Sequence, residues 1–234
     1  MNKGTTMDAH ERLHRGLEAA TNGRHAEALR EYKWFHEHAL EHKPSLYGVR
    51  LSFALWYWLE LAAKYPKAGQ ELERIRVSKT RRLLKGEFDR ELFHDVEAIN
   101  ERLRRHTDTY GLFAKLEAKN PEFAARCAAL ALPAIVKSGD FAMARRYTPS
   151  PVESLRKYGR ALNRDVADLA RQPPSKAPRL RAYVTIYTES VRLLLRILRG
   201  TRERKVMEEV RAQAVKVVES PAVRRAVRKA LRAA

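Results

Sequence analysis

The sequence predicts an all-α protein, and three observations carry this. Apolar residues recur at helical spacing over almost the whole chain, no stretch shows the period-two alternation of β-branched residues bounded by turns, and Gly and Pro stand at intervals between the periodic segments. With 234 residues and 44% apolar content there is ample material for a core. Charged residues make up 32%, but the apolar positions are periodic instead of depleted, which excludes a disordered chain.

Gly ends helices and Pro begins them, so the breaks are read in order at Asn22-Gly23, Lys43-Pro44, Tyr65-Pro66, Lys85-Gly86, Asn120-Pro121, Ser138-Gly139, Thr148-Pro149, the cluster 172–178, Gly200 and Ser220-Pro221. About eleven or twelve helices lie between these marks. The first carries His10 to Gly16, and the second is rich in histidine. A segment at 51–59, Leu-Ser-Phe-Ala-Leu-Trp-Tyr-Trp-Leu, is apolar nearly all round and is expected to be a central helix covered on several sides. The run 127–136 is apolar and holds the only cysteine, Cys127, which reads as a buried, inert thiol. Two starts are well signed: Ser150-Pro151-Val152-Glu153 has the residues of an N-cap, a first-turn proline and a capping box, and Ser220-Pro221 repeats the first two. Pro173-Pro174-Ser175-Lys176-Ala177-Pro178 is a stiff linker. The expected division is a helical array over 1–147 and a basic helical region over 148–234, with a boundary inside the latter at 172–178.

The segment Gly23-Arg24-His25-Ala26-Glu27-Ala28 is echoed by Gly139-Asp140-Phe141-Ala142-Met143-Ala144, each opening a helix after a turn. Gly16 and Tyr32 flank the first copy, Tyr65-Pro66-Lys67-Ala68 gives a looser third unit, and Phe113, Leu116, Pro121 and Ala124 a fourth. This pattern resembles the tetratricopeptide repeat, in a divergent bacterial form with irregular spacing. The resemblance implies antiparallel helix hairpins over residues 8–147, with Gly23, Ala28, Gly139 and Ala144 at close helix contacts, and a surface that binds a partner protein.

Candidate chemistry is sparse. His10-Glu11-Arg12-Leu13-His14 matches the H-E-x-x-H zinc-peptidase spacing, but Leu17 stands where the extended motif needs glycine, and the third ligand would have to come from Glu31 or Glu37. His36, His38 and His42 fall in one segment with Glu37 and Glu41, which reads as the solvated face of a helix whose Tyr32, Phe35, Ala39 and Leu40 point inward. His94 and His106 receive no role. No catalytic residue, metal or cofactor is expected, and the chain reads as a non-enzyme. Trp56 and Trp58 cannot share a helical face; they read mainly as core and otherwise as a groove where a partner docks.

Charge carries the strongest signal. From Phe141 onward there are 23 Lys and Arg against 8 Asp and Glu, whereas the preceding residues carry 24 against 20. Tyr183, Tyr187, Val191, Leu194 and Leu198 form one helical face, with Arg192, Arg196 and Arg199 on another. The last helix repeats the design: Val223, Val227 and Leu231 inward, Arg224, Arg225, Arg228, Lys229 and Arg232 outward. These eight basic residues are the candidate binding surface. Guanidinium groups suit carboxylates and phosphates, so the expected partner is an acidic protein. The alternative is a nucleic acid held through its phosphates; residues 188–234 lack Phe, Tyr and Trp, which excludes base-stacking platforms. A single cysteine, no apolar N-terminal segment and no bilayer-length apolar run lead to the expectation of a cytoplasmic protein.

Overall fold

The computed structural model describes residues 8–171 and 180–232, and within them every regular element is a helix. In chain order these are α1 (Ala9–Thr21), α2 (His25–His42), a 3-10 turn (Pro44–Leu46), α3 (Tyr47–Leu51), α4 (Phe53–Lys64), α5 (Pro66–Leu84), α6 (Arg90–Arg102), α7 (His106–Lys119), α8 (Pro121–Lys137), α9 (Phe141–Arg146), α10 (Pro151–Arg171), α11 (Leu180–Gly200), α12 (Arg204–Gln213) and α13 (Pro221–Arg232). The linker at 172–178 lies outside the described residues. Every other expected break coincides with a helix end. Two breaks were not legible. Ser52 departs from helical geometry, with φ −118° and ψ −86°, and separates α3 from α4; Arg104 separates α6 from α7.

Five of the joints share one mechanism. Gly23, Gly86 and Gly139 adopt left-handed backbone, with φ of 75°, 104° and 83°. Behind each, an amide reaches back over the last turn: Arg24 to the Ala19 carbonyl at 2.8 Å, Glu87 to Arg82 at 3.1 Å and Asp140 to Ile135 at 3.3 Å. These bonds satisfy carbonyls that the helix end would leave open. Arg104 and Arg202 occupy the same slot with φ of 58° and 61°, closed by Arg105 to Asn100 at 2.7 Å and Glu203 to Leu198 at 2.9 Å. Gly23 and Gly139 are therefore required for their φ and not for close contact: a β-carbon on either would meet nothing within 4 Å. The close approaches are elsewhere. A methyl at Gly16 would lie 2.7 Å from the Tyr32 ring, one at Gly159 would lie 2.8 Å from Val217, and one at Gly200 would fall inside the Phe141 ring.

The chain forms two compact units, Met1–Ala131 and Leu132–Ala234, whose division falls inside α8. The physical reason lies in α9: Phe141 seats on Gly200, and the Arg145 guanidinium forks onto the Glu203 carboxylate at 2.6 and 3.0 Å, which ties α9 to the helices that follow.

In the first unit α1 packs on α2, α4 on α5 and α5 on α6. Tyr32, Phe35, Leu55, Trp58, Leu72 and Ile99 share one core, with Ala28 and Ala68 fully buried. In α4 only one side is covered. Trp58 is buried and donates its indole N–H to the Ala68 carbonyl at 2.9 Å, whereas Phe53 and Trp56 are 61% and 48% exposed. The expectation of a helix flanked on several sides is corrected accordingly. No helix among the described residues is long and apolar enough to cross a membrane.

The second unit packs α11 against α9, α10, α12 and α13. Its core includes Leu155, Leu162, Tyr187, Val191, Leu194, Leu198 and Val227. Ser150 and Glu153 mark the start of α10 as expected, but the Glu153 carboxylate pairs with Arg160 at 2.7 Å and Arg156 at 3.6 Å.

Crowding at the glycines gives a direct stability prediction. Gly16→Ala and Gly200→Ala overpack aromatic rings and should each lose about 1–3 kcal/mol. Gly111→Ala, within α7 and facing open space, should gain about 0.5–1 kcal/mol through helix propensity alone. Urea unfolding midpoints of the three variants check the ordering; equal effects would contradict the close approaches.

Candidate functional site

The arginines of α11 and α13 meet because of where they sit relative to the buried stripes. In α11, Val191, Leu194 and Leu198 are buried, and Arg192, Arg196 and Arg199 lie along the edge of that stripe. In α13 only Val223 and Val227 are buried, and Arg228 and Arg232 line the edge. When the two stripes pack together, the basic edges converge. The result is a cleft of about 510 Å³ with an apolar floor of Val191, Leu195, Ala214, Val215 and Leu231. Its rim is Arg192, Arg196, Arg199, Arg211, Arg228 and Arg232.

The segment between α12 and α13 is pinned on every side, which fixes where α13 begins. Tyr187 donates its hydroxyl to the Ala214 carbonyl at 2.6 Å. Asn163 donates to the Val217 carbonyl and accepts from the Glu219 amide, both at 3.0 Å, and Gly159 leaves room for Val217. Arg224 donates Nε and Nη2 to the Val218 carbonyl at 2.9 and 2.7 Å. At the far end of α13, Arg192 donates Nη2 to the Ala230 carbonyl at 2.7 Å and Nη1 to Glu189 at 2.5 Å. A cation at helical C-terminal carbonyls is favourable on dipole grounds as well.

The eight expected basic residues therefore divide. Arg192, Arg196, Arg199, Arg228 and Arg232 come together in the cleft. Arg192 and Arg224 are also structural ties, so replacing Arg192 removes a contact to α13 as well as a charge. Arg225 and Lys229 are exposed and outside the cleft lining. Arg211 from α12 completes the rim. Its position next to buried Val210 was the available signal. Arg196, Arg199, Arg211, Arg228 and Arg232 form no ion pair with any described residue, whereas Arg192 on the same rim pairs with Glu189.

The other sequence candidates fall apart. Trp58 is buried in the core; Trp56 is exposed and rests against the Tyr57 ring at 5.1 Å. His10 and His14 are exposed on α1, and Glu11 accepts the Asp8 amide at 3.2 Å at the helix start. Glu31 is buried between Arg12 and Arg15, so it is committed to two guanidinium groups. Among the described residues no group of three or more His, Cys, Asp or Glu is placed to hold a metal ion. Cys127 is buried, and its thiol is pushed up to about 11 by burial.

His36 corrects the reading of the histidine-rich segment. Only His38 and His42 reach solvent, where they flank the Trp34 ring at 5.5 and 5.2 Å; His36 is buried beneath α2. It adjoins a charged cluster that the sequence did not reveal. Arg50, itself buried, donates to the Asp95 carboxylate and, at 3.3 Å, to the His36 carbonyl. Lys79 donates to Asp95 Oδ2, the oxygen that also accepts Arg50 Nη1. Burial alone would raise Asp95, but the Arg50 hydrogen bond and the Lys79 charge outweigh it and hold the carboxyl below its usual range. His36 is pushed down to about 3, first by burial and then by the Lys79 and Arg50 charges, so it is neutral. Neither of its ring nitrogens has a hydrogen-bond partner.

With both arrangements in view, comparison with protein-family models, curated proteins and solved structures found no match to this chain.

The buried histidine predicts an acid sensitivity with a defined sign. In the unfolded chain His36 binds a proton near 6.5, and in the folded chain only near 3. Stability should therefore be full above about pH 6.5 and fall progressively as the pH drops toward 3. His36→Phe removes the proton-binding group and should flatten this slope in urea unfolding measured from pH 7 to 4. Identical slopes in parent and variant would contradict the assignment.

Proposed function

We propose that the protein is a non-enzymatic binding module whose second unit docks an acidic segment of a partner protein in the arginine cleft. The observation that carries this reading is the set of five guanidinium groups without carboxylate partners, arranged around an apolar floor. Like charges gathered at one edge repel one another, and a bound anion relieves that repulsion. Guanidinium forks favour carboxylates in bidentate geometry. The floor of Val191, Leu195, Val215 and Leu231 accepts aliphatic side chains, which a peptide with interleaved acidic and apolar residues supplies and a phosphate backbone does not. Such segments bind grooves through anchors at helical spacing. A tetratricopeptide-like array in the first unit is compatible with an adaptor, chaperone or immunity role, since such arrays act as scaffolds for partner binding.

A direct experiment uses a fluorescent helical peptide with Glu and Leu on one face, its scrambled counterpart, and a duplex of about 20 base pairs, a length chosen to offer more phosphates than the cleft has guanidinium groups. The variant Arg196→Gln/Arg199→Gln/Arg228→Gln/Arg232→Gln leaves the Arg192 and Arg224 ties in place. It should weaken the amphipathic peptide by about tenfold or more, since exposed pairs contribute roughly 0.2–1 kcal/mol each and 1.4 kcal/mol is tenfold. Unchanged peptide affinity would overturn the proposal. Duplex binding tighter than peptide binding, with a salt slope that drops by roughly one unit per lost phosphate contact, would transfer the cleft to nucleic acid.

A further inference from the structure

A second cleft, wholly within the first unit, lies between α2, α3, α5 and α6 and has a volume of about 410 Å³. That is within the range of small-molecule sites. Its walls carry opposite charge. The α5 side supplies Arg74, Lys79 and Arg82, and the α6 side supplies Asp89, Glu91 and Asp95.

Most of these charges are already used. Arg74 is held by Glu71 and Arg82 by Glu87. Asp89 accepts the Glu91 and Leu92 amides at 2.7 and 3.4 Å as the N-cap of α6. Asp95 is shared between Arg50 and Lys79, so two cations face one carboxylate and the floor carries a net positive charge. At the rim, Glu37 and Glu91 are exposed and form no salt bridge with a described residue. The net charge is thus positive in depth, and the carboxylates without a salt bridge lie at the mouth, where Glu37 also feels the Arg74 charge. A simple anion is repelled at the rim and a simple cation at the floor.

The floor is also under-satisfied. His36 lines it with both ring nitrogens unpartnered, and the Arg50 Nε lacks a partner too. Buried polar atoms left in this state destabilise the fold, so stability does not account for them. A few convergent polar groups in a cleft of this size are what fixes the orientation of a small polar ligand.

We infer that this cleft binds a small zwitterion of the amino-acid class, its carboxylate drawn to Lys79 above the Arg50–Asp95 pair and its ammonium to Glu37 and Glu91. The site is independent of the arginine cleft, since all its residues lie in the first unit.

The test is a calorimetric and thermal-shift titration of the full chain with linear ω-amino acids from glycine to 6-aminohexanoate. Butyrate and butylamine at matched ionic strength serve as controls. At least one zwitterion should bind saturably and raise the unfolding temperature more than either control. Lys79→Met should weaken it tenfold or more. Because Lys79→Met also removes a partner of Asp95, the rim variant Glu37→Gln/Glu91→Gln provides a second reading without touching the buried cluster, and it should weaken the same zwitterion by a similar factor. If no zwitterion exceeds the single-charge controls, or if the rim variant binds as tightly as the parent, the inference is wrong.

Discussion

Unit two is governed by a geometric conflict between burying the apolar stripes of α11 and α13 and keeping their arginines apart. The two helices stabilise the unit by joining Val191, Leu194 and Leu198 to Val223 and Val227, at about 25 cal/mol for each Å² of apolar surface removed from water. Their basic edges run beside these stripes, so packing the core necessarily gathers the guanidinium groups. Arg192 escapes the conflict by capping carbonyls at the end of α13, and Arg224 does the same at Val218. The remaining cleft arginines have no such outlet. An external anion is the complement this geometry lacks.

The first unit solves a different problem. Its charges are nearly balanced by sequence, and the structure uses them internally: Glu31 with Arg12 and Arg15, Glu73 with Arg76 and Arg105, Asp95 with Arg50 and Lys79. A buried ion pair of the Arg50–Asp95 kind is weak support for stability, because desolvation offsets much of the attraction. What it does provide is a direct tie between α3 and α6. The same pair leaves a polar floor under the adjoining cleft.

The sequence carried much of the fold and part of the site. Helix ends marked by Gly or Pro were legible because those residues have few other uses in a helical chain. The end at Arg104 was not, since arginine gives no hint that it will take left-handed backbone, and Ser52 breaks α3 from α4 through a local geometry with no sequence signature. The α11 and α13 arginine rows followed from spacing, but which arginines would turn to cap carbonyls depended on contacts 38 residues apart for Arg192 and Ala230. His36 could have been placed correctly: with Tyr32, Phe35 and Ala39 it completes one helical stripe. Its charged neighbours could not, because Arg50 and Asp95 are 45 residues apart.

The most direct measurement of the central claim is side-chain NMR of the arginine Nε groups during titration with the acidic amphipathic peptide. Occupancy of the cleft predicts that Arg196, Arg199, Arg228 and Arg232 shift together along one binding curve, while Arg225, outside the cleft, and Arg164 on α10 stay in place. Shifts of similar size on all exposed arginines, with no common saturation, would mean that the basic surface attracts anions diffusely and that the cleft is not a site.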